Sequence, residues 1–451
     1  MLRLVNARTV RQTIKGVNII SKTNTLPYST NQTNEHTPRE ELKIFSFNTD
    51  HSNEEYFLNK KRFERKYYTQ SILKSTEVAG EEFKLVTKHP RDSLITLDFA
   101  FSTDEKLREI YLTQNNGTRI GRILEDLDSF AGEVAYKHAD GFKSSRPITI
   151  VTASVDRIEL QQPIIPFFDL RFEGWVSWVG RSSMEVRINV TTKKGEVWEP
   201  VMVAYFVMVA RDKNTNKSAE INRLEPATGA DKHLLELGEE SQRRRKQTSE
   251  TSLYKIPPNE QERLLIHDMH LKVQKIKRGQ INDMLLDDGR DSVGLSGRFR
   301  YMSSTLLTNT KIMHPQQRNI HNKIFGGYLI RQAYELAWVT AYTYSKHRPT
   351  FISLDDNSFL KPVEIGSVVN FASRVVYTAT NTVQIRVEVE VVSPSIGKTD
   401  TTNVFQFAFM VPTQQTIIPE TYEESMMYLE GRRIAQKGTA TEVILKGKIA
   451  Y

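Results

Sequence analysis

Apolar residues recur along this chain in two rhythms, and each rhythm occurs twice. From Gly121 to Tyr136, Ile123, Leu127, Phe130 and Val134 fall three or four apart, the spacing that lines one face of a helix. Leu329, Ala333, Leu336 and Thr340 hold the corresponding places after Gly327, mostly apolar again. Further on, "MEVRINV" (184–190) and "VQIRVEV" (383–389) alternate apolar with polar side chains, the period of a half-buried strand. The run "VAYFVMVA" (203–210) is apolar throughout, and "VFQFAFMV" (404–411) is apolar but for Gln406. Their β-branched and aromatic content, and their place after a strand, predict further strands.

The coincidences amount to an internal duplication. A shift of 206 lays Asn116 on Asn322, Gly121 on Gly327, Ala131 on Ala337 and Tyr136 on Tyr342. Arg146-Pro147 meets Arg348-Pro349 at a shift of 202, and the strands follow at 199 and 201, as small loop-length differences would produce. Each copy is a long helix followed by several strands. This predicts an α+β architecture, an antiparallel sheet wrapped around one largely apolar helix, with two such units paired. The expected division is 1–34 presequence, 35–81 leader, 82–211 first unit, 212–304 connecting segment, 305–412 second unit and 413–451 polar tail, read as an added helix.

Charge changes the picture at one end only. The formal net charge is +8, but the start "MLRLVNARTVRQTIKGVNIISKTNT" holds Arg3, Arg8, Arg11, Lys15 and Lys22, and the first acidic residue is Glu35. Leu2, Val5, Val10, Ile14 and Val17 can share a helix face there. A basic, amphipathic, acid-free start followed by Ser/Thr/Asn-rich chain reads as a mitochondrial presequence. That reading removes most of the case for a nucleic-acid partner. The run Arg243-Arg244-Arg245-Lys246 has no interleaved aromatics and reads as a solvated surface segment. With no cysteine, disulfides, thiolate zinc sites and a cysteine nucleophile are excluded. No apolar run approaches a membrane span, and no motif calls for a metal or cofactor.

The candidate chemistry gathers at the two helix starts. Gly121, and Gly326-Gly327 in the second copy, stand where exposed N–H groups carry partial positive charge and can grip an anion or a polarised carbonyl. Close helix–sheet packing explains the same glycines equally well. Asp128 lies two turns beyond Gly121 among apolar positions 124, 127 and 131. A carboxylate there can activate water or attack a carbonyl; an exposed helical Asp is the ordinary alternative. At the 206 shift Asp128 falls on Tyr334, and Ser129 on Glu335. If each helix start faces the other copy's helix, two unlike sites arise. One combines Asp128 with His321, Asn322, Gly326 and Gly327; the other combines Tyr334 and Glu335 with Asn116 and Gly121 and is the degenerate partner. An Asx residue before a helix is also an ordinary turn residue, so Asn322 keeps both readings.

"HNKIFGGYLIRQAYELAW" (321–338), "RIGRILEDLDSFAGEVAYKHADG" (119–141) and "FISLDDNSFLKPVEIGSVV" (351–369) together resemble the double-hotdog acyl-coenzyme A thioesterases, among them the mitochondrial acyl-coenzyme A thioesterase 9 subgroup. The resemblance covers about Glu82 to Pro412. It implies a tandem hotdog fold, frequent further assembly as trimers, and hydrolysis of fatty acyl-CoA to free acid and CoA. It also implies a catalytic carboxylate in a pattern like GG-x6-D-x3-G. Asp128 and Gly132 fit that pattern, with Ile120 in place of the first glycine, while the second copy keeps both glycines and has Tyr334 in the acidic place. The resemblance further implies an Asn ahead of the glycines, a role for Asn322 with His321 as substitute. Two other readings remain at this point. One is a β-hydroxyacyl-thioester dehydratase or hydratase relying on His321; the other is an acyl-CoA-binding protein without catalysis.

Overall fold

The computed structural model describes residues 84–140, 148–253, 255–279, 299–319, 321–379, 381–393, 397–412 and 415–446. The presequence and leader assigned from sequence, and the Arg146-Pro147 match, lie outside the described residues.

The first unit contains β1 (Ile95–Phe99), α1 (Glu105–Tyr111), α2 (Ile120–His138), β2 (Ile148–Leu160), β3 (Leu170–Val179), β4 (Ser183–Lys194) and β5 (Val197–Asp212). Two helices follow, α3 (Gly229–Glu250) and α4 (Glu260–Lys277). The second unit contains β6 (Leu307–Ile312), α5 (Gly326–Ser345), β7 (Thr350–Phe359), β8 (Val368–Ala379), β9 (Thr382–Ser393) and β10 (Lys398–Met410). The tail forms α6 (Tyr422–Lys446).

The long strands make one ten-stranded sheet in the order β1-β3-β4-β5-β2-β7-β10-β9-β8-β6. This order reads the same from either end once β1 is matched to β6, β2 to β7, β3 to β8, β4 to β9 and β5 to β10. The chain is a tandem hotdog: two pseudo-equivalent half-sheets joined edge to edge, each curved around its own helix. The joint is the antiparallel pair β2–β7, in which Leu354 stands opposite Ile158 and Asp355 opposite Arg157.

Alternation in the sequence sets which face packs inward. In β10, Phe405, Phe407 and Phe409 are fully buried, and the latter two lie 5.8 Å from the Tyr334 ring of α5. In β4, Val186, Ile188 and Val190 do the same for α2, whose Ile123, Leu127, Phe130 and Val134 are all fully buried. Burial of these side chains is worth about 2 kcal/mol each before the entropy of ordering them is counted.

The connecting segment packs on the chain's own sheet, which corrects the reading of its basic run as wholly solvated. Gly238 of α3 lies so close to β3 that a Cβ there would sit 2.6 Å from Trp178 Cβ. About two turns later, Arg245 binds Asp156 of β2 and places Nη1 2.8 Å from Glu185 Oε2 of β4. Glu185 is itself buried and accepts a 2.8 Å hydrogen bond from Ser177 on its other oxygen. Arg433 of α6 clamps both oxygens of Glu262 at the start of α4, at 2.7 and 2.8 Å.

Candidate active site

Neither long helix has a side-chain cap of its own. The residue before α2 is Arg119 and the residue before α5 is Phe325, and neither side chain accepts a first-turn N–H. At α5 the cap comes from the other unit. Asp128 Oδ2 accepts the Gly327 N–H at 2.7 Å, joining residues 199 apart in the chain. Asp128 Oδ1 accepts the Thr152 hydroxyl of β2 at 2.8 Å. A carboxylate at a helix N-terminus satisfies an orphan donor and meets the positive end of the dipole.

The glycine pair is what allows this approach. A Cβ on Gly326 would stand 3.1 Å from Asp128 Oδ2 and 3.1 Å from Phe359 Cε1. On Gly327 it would stand 2.7 Å from the Glu125 carbonyl oxygen. Close packing accounts for the pair, between two helices more than between helix and sheet, and it brings the Asp128 carboxylate to the Gly327 N–H.

Asp128 is 2 % exposed. Burial pushes its pKa from the ordinary 3.8 to about 6, while the Thr152 hydroxyl and the Gly327 N–H pull it down and the nearby Glu125 charge pushes it up. The group is thus ionised at neutral pH yet a stronger base than a surface carboxylate, the state expected of a general base.

The other predicted residues fall in different places. His321 is not beside Asp128. Its Nε2 lies 3.0 Å from the hydroxyl of Tyr136, which also accepts the Ile150 N–H at 3.0 Å. Tyr136 is eight residues beyond Asp128 on α2, about 12 Å of helix rise. Burial holds the imidazole below its ordinary pKa, and its hydrogen bond with the Tyr136 hydroxyl fastens the loop to α2. Asn322 is exposed in the left-handed region (φ 58°), as is Asn116 (φ 58°) at the equivalent position. Both are turn residues, a conformation asparagine tolerates better than most.

Sequence reasoning missed Asn319, which organises the loop ahead of α5. Its Oδ1 accepts the N–H groups of His321 at 2.8 Å and Lys323 at 3.1 Å. The signal was available in the repeat, because Thr113 stands at the same place in the first unit and accepts the Gly117 N–H at 3.0 Å. Thr152 had no such signal, being one of several threonines in strand sequence.

At the mirror position the constellation is filled in. Tyr334 replaces the carboxylate, is buried, and packs against Gly121, where a Cβ would meet its Cδ1 at 3.1 Å. Its ring is held edge-on by Phe351 at 5.5 Å, and burial raises the phenol pKa far above its usual value. Glu335 points away to the surface, 3.8 Å from Arg119. The second place has the Tyr334 phenol where the first has the Asp128 carboxylate.

A family model described as the thioesterase superfamily matches residues 121–199, which run from α2 into β5. The human mitochondrial acyl-coenzyme A thioesterase 9 is 40% identical over 359 residues, 79% of this chain and 80% of that protein. The chain belongs to the acyl-coenzyme A thioesterase family. The mouse mitochondrial acyl-coenzyme A thioesterase 9 is 39% identical over 85% of this chain and 84% of its own length. A chloroplastic acyl-coenzyme A thioesterase 2 of Humulus lupulus is 36% identical over 80% and 84%. Within this thioesterase family member, the superfamily match falls on the unit that carries Asp128. Among the described residues, no helix is long and apolar enough to cross a membrane, and no cluster of three His, Asp or Glu residues has the arrangement of a metal site.

Proposed function

We propose that this protein hydrolyses fatty acyl-CoA to free fatty acid and CoA in mitochondria, at one composite site shared by its two hotdog units. The observation that carries the reading is the buried Asp128 carboxylate of one unit, fixed at the N-terminus of the other unit's helix. First-turn N–H groups of α5, beginning with Gly326, lack intrahelical acceptors and are suited to bind the thioester carbonyl as it gains negative charge. Asp128 takes a proton from water as the water oxygen bonds to the carbonyl carbon. The C–S bond then breaks, the sulfur leaves as thiolate and picks up a proton to give CoA, and the acyl group departs as the acid. With a pKa near 6, Asp128 is ionised at neutral pH and basic enough for this step. Gly326 and Gly327 keep the substrate close to the backbone, and Asn319 holds the loop that precedes them.

The dehydratase alternative needs a histidine near the carboxylate, and His321 is engaged by Tyr136 instead. Nucleic-acid binding loses support because Arg245, in the middle of the basic run, is committed to Asp156 and Glu185. Mitochondrial residence is supported by the names of the relatives and by the basic, acid-free start of the chain. Assembly into a trimer of tandem units is part of the same proposal and is read directly from the mass in solution.

The deciding experiment is release of free thiol from a short-to-long acyl-CoA panel, comparing the protein without residues 1–34 with its Asp128→Asn variant, both checked by thermal melt. Hydrolysis that collapses in a folded variant supports the composite site. Hydrolysis that survives removes Asp128 from the chemistry. Lack of turnover in the unaltered protein would leave an acyl-CoA-binding role.

A further inference from the structure

Asn403 is fully buried in β10, and among the described residues neither atom of its amide has a hydrogen-bond partner. Two observations fix where that amide points. It follows the alternation of Phe405, Phe407 and Phe409, which face α5, and its cross-strand neighbour in β7 is Phe359. Residues directly opposite in a sheet share a face and lie about 5 Å apart. Phe359 is the ring that crowds Gly326 together with the Asp128 carboxylate. Asn403 is therefore the cross-strand neighbour of the ring that packs on Gly326 beside the Asp128 carboxylate.

The other unit shows what this position holds when no such demand exists. Leu160 and Met202 are the opposed pair in β2 and β5 that corresponds to Phe359 and Asn403. Met202 is 1% exposed, an apolar residue in an apolar interior. A buried amide with both its donor and its acceptor unanswered costs about 1–3 kcal/mol per group, so an amide retained there needs a partner. It lies beside Phe359, whose ring stands 3.1 Å from where a Cβ on Gly326 would be, next to the Asp128 carboxylate.

We infer that Asn403 is a specificity-determining residue, and that this thioesterase favours acyl-CoAs bearing a hydroxyl a few carbons from the thioester, of the β-hydroxyacyl class. The inference rests on the hydrolase reading above. A hydroxyl both donates and accepts, so it can answer the amide oxygen or the amide N–H, whereas an unsubstituted chain leaves both unanswered. A site built to hydrogen-bond a substrate hydroxyl discriminates strongly against the analogue lacking it.

The test compares kcat/KM for β-hydroxybutyryl-CoA with that for butyryl-CoA, and repeats the comparison at longer matched chain lengths. The unaltered protein should prefer the hydroxylated ester of each pair. Asn403→Met, which installs the residue of the equivalent position, should lower the hydroxylated-to-plain ratio by about tenfold or more. Turnover of plain esters without any preference in the unaltered protein overturns the inference while leaving the hydrolase reading intact. So does an unchanged ratio in the variant, which is the result expected if the amide merely holds water. Failure of the unaltered protein to cleave any ester overturns the hydrolase reading and this inference together. Should the Met variant not fold, the preference of the unaltered protein decides alone.

Discussion

Glu125 and Arg331 occupy equivalent positions in the two units and meet where the helices cross, Oε2 to Nη1 at 3.2 Å. In a pair of identical units this place would set a residue against its own copy. Here it carries opposite charges, with side chains only 3% and 10% exposed. The sheet seam repeats the device, since Arg157 Nε lies 3.7 Å from Asp355 Oδ1 and those two residues face each other across β2–β7. Duplication within one chain permits such divergence, and the same freedom produced one carboxylate and one tyrosine at the two crossings.

Removing one partner of the helix pair should be costly. Arg331→Met leaves Glu125 buried without its 3.2 Å cation and with Arg122 Nη1 further off, at 3.7 Å. Breaking a buried pair typically costs about 3–5 kcal/mol, and replacing both members with apolar residues is often close to neutral. Chemical denaturation should show Arg331→Met clearly destabilised and the Glu125→Leu/Arg331→Met double variant largely restored. Equal stability of the single variant and the parent would refute a stabilising role for the pair.

The rate should depend on pH through Asp128. Hydrolysis requires the ionised carboxylate, so kcat/KM should rise with pH through a value near 6. Thr152→Val removes the hydroxyl that donates to Oδ1 and lowers the pKa. A hydrogen bond to a charged group is worth about 1.5–3 kcal/mol, so the rising limb should move up by about one pH unit or more. A limb that stays in place would show that another group controls the profile.

Much of the architecture was legible because the repeat doubled every weak signal. The alternation through Phe405, Phe407 and Phe409 and the stripe through Ile123, Leu127, Phe130 and Val134 each marked a buried face that the structure shows. The exchange of Asp128 for Tyr334 was visible from the 206 shift alone. The repeat pointed to Asp128 facing the Gly326-Gly327 start, but not to the atoms that meet there. Nothing local says that Asp128 reaches the Gly327 N–H, or that Thr152 lies beneath it. His321 and Asn322 were drawn in by proximity in sequence, and three-dimensional packing gave them other work: one holds Tyr136, the other turns the chain. Arg245 was hidden in a run of like charges, since composition does not reveal which arginine points inward.

Stability should change with pH in the opposite sense to activity. Asp128 has a pKa near 6 in the fold against 3.8 ordinarily, so the folded state favours its protonated form. Its contribution is fully present below pH 3.8 and is lost as pH rises through about 6, on the order of 3 kcal/mol at most. Asp128→Asn cannot ionise and escapes this loss. Melting curves should place the variant above the parent at pH 8, with the gap shrinking toward pH 4. A variant that melts lower at pH 8 would mean that the charge stabilises the helix start more than burial penalises it.

The three glycines at the helix starts should separate by what a methyl group would strike. At Gly326 it would press on Asp128 Oδ2 and the Phe359 ring, each at 3.1 Å, so Gly326→Ala displaces the carboxylate. At Gly121 it would press on Tyr334 and Arg331 side-chain atoms at 3.1 and 3.2 Å, not on Asp128. Alanine gains about 1 kcal/mol of helix propensity over glycine, which offsets part of either strain. Gly327→Ala has no such escape, because the obstacle 2.7 Å away is the Glu125 carbonyl and backbone cannot rotate aside. Turnover should therefore fall about tenfold or more in Gly326→Ala at near-parental stability, and much less in Gly121→Ala, since small misplacements of a reacting group are expensive. Gly327→Ala should lose stability first, seen as a lowered melting temperature. Equal turnover in Gly326→Ala and Gly121→Ala would place the chemistry somewhere other than the Asp128 crossing.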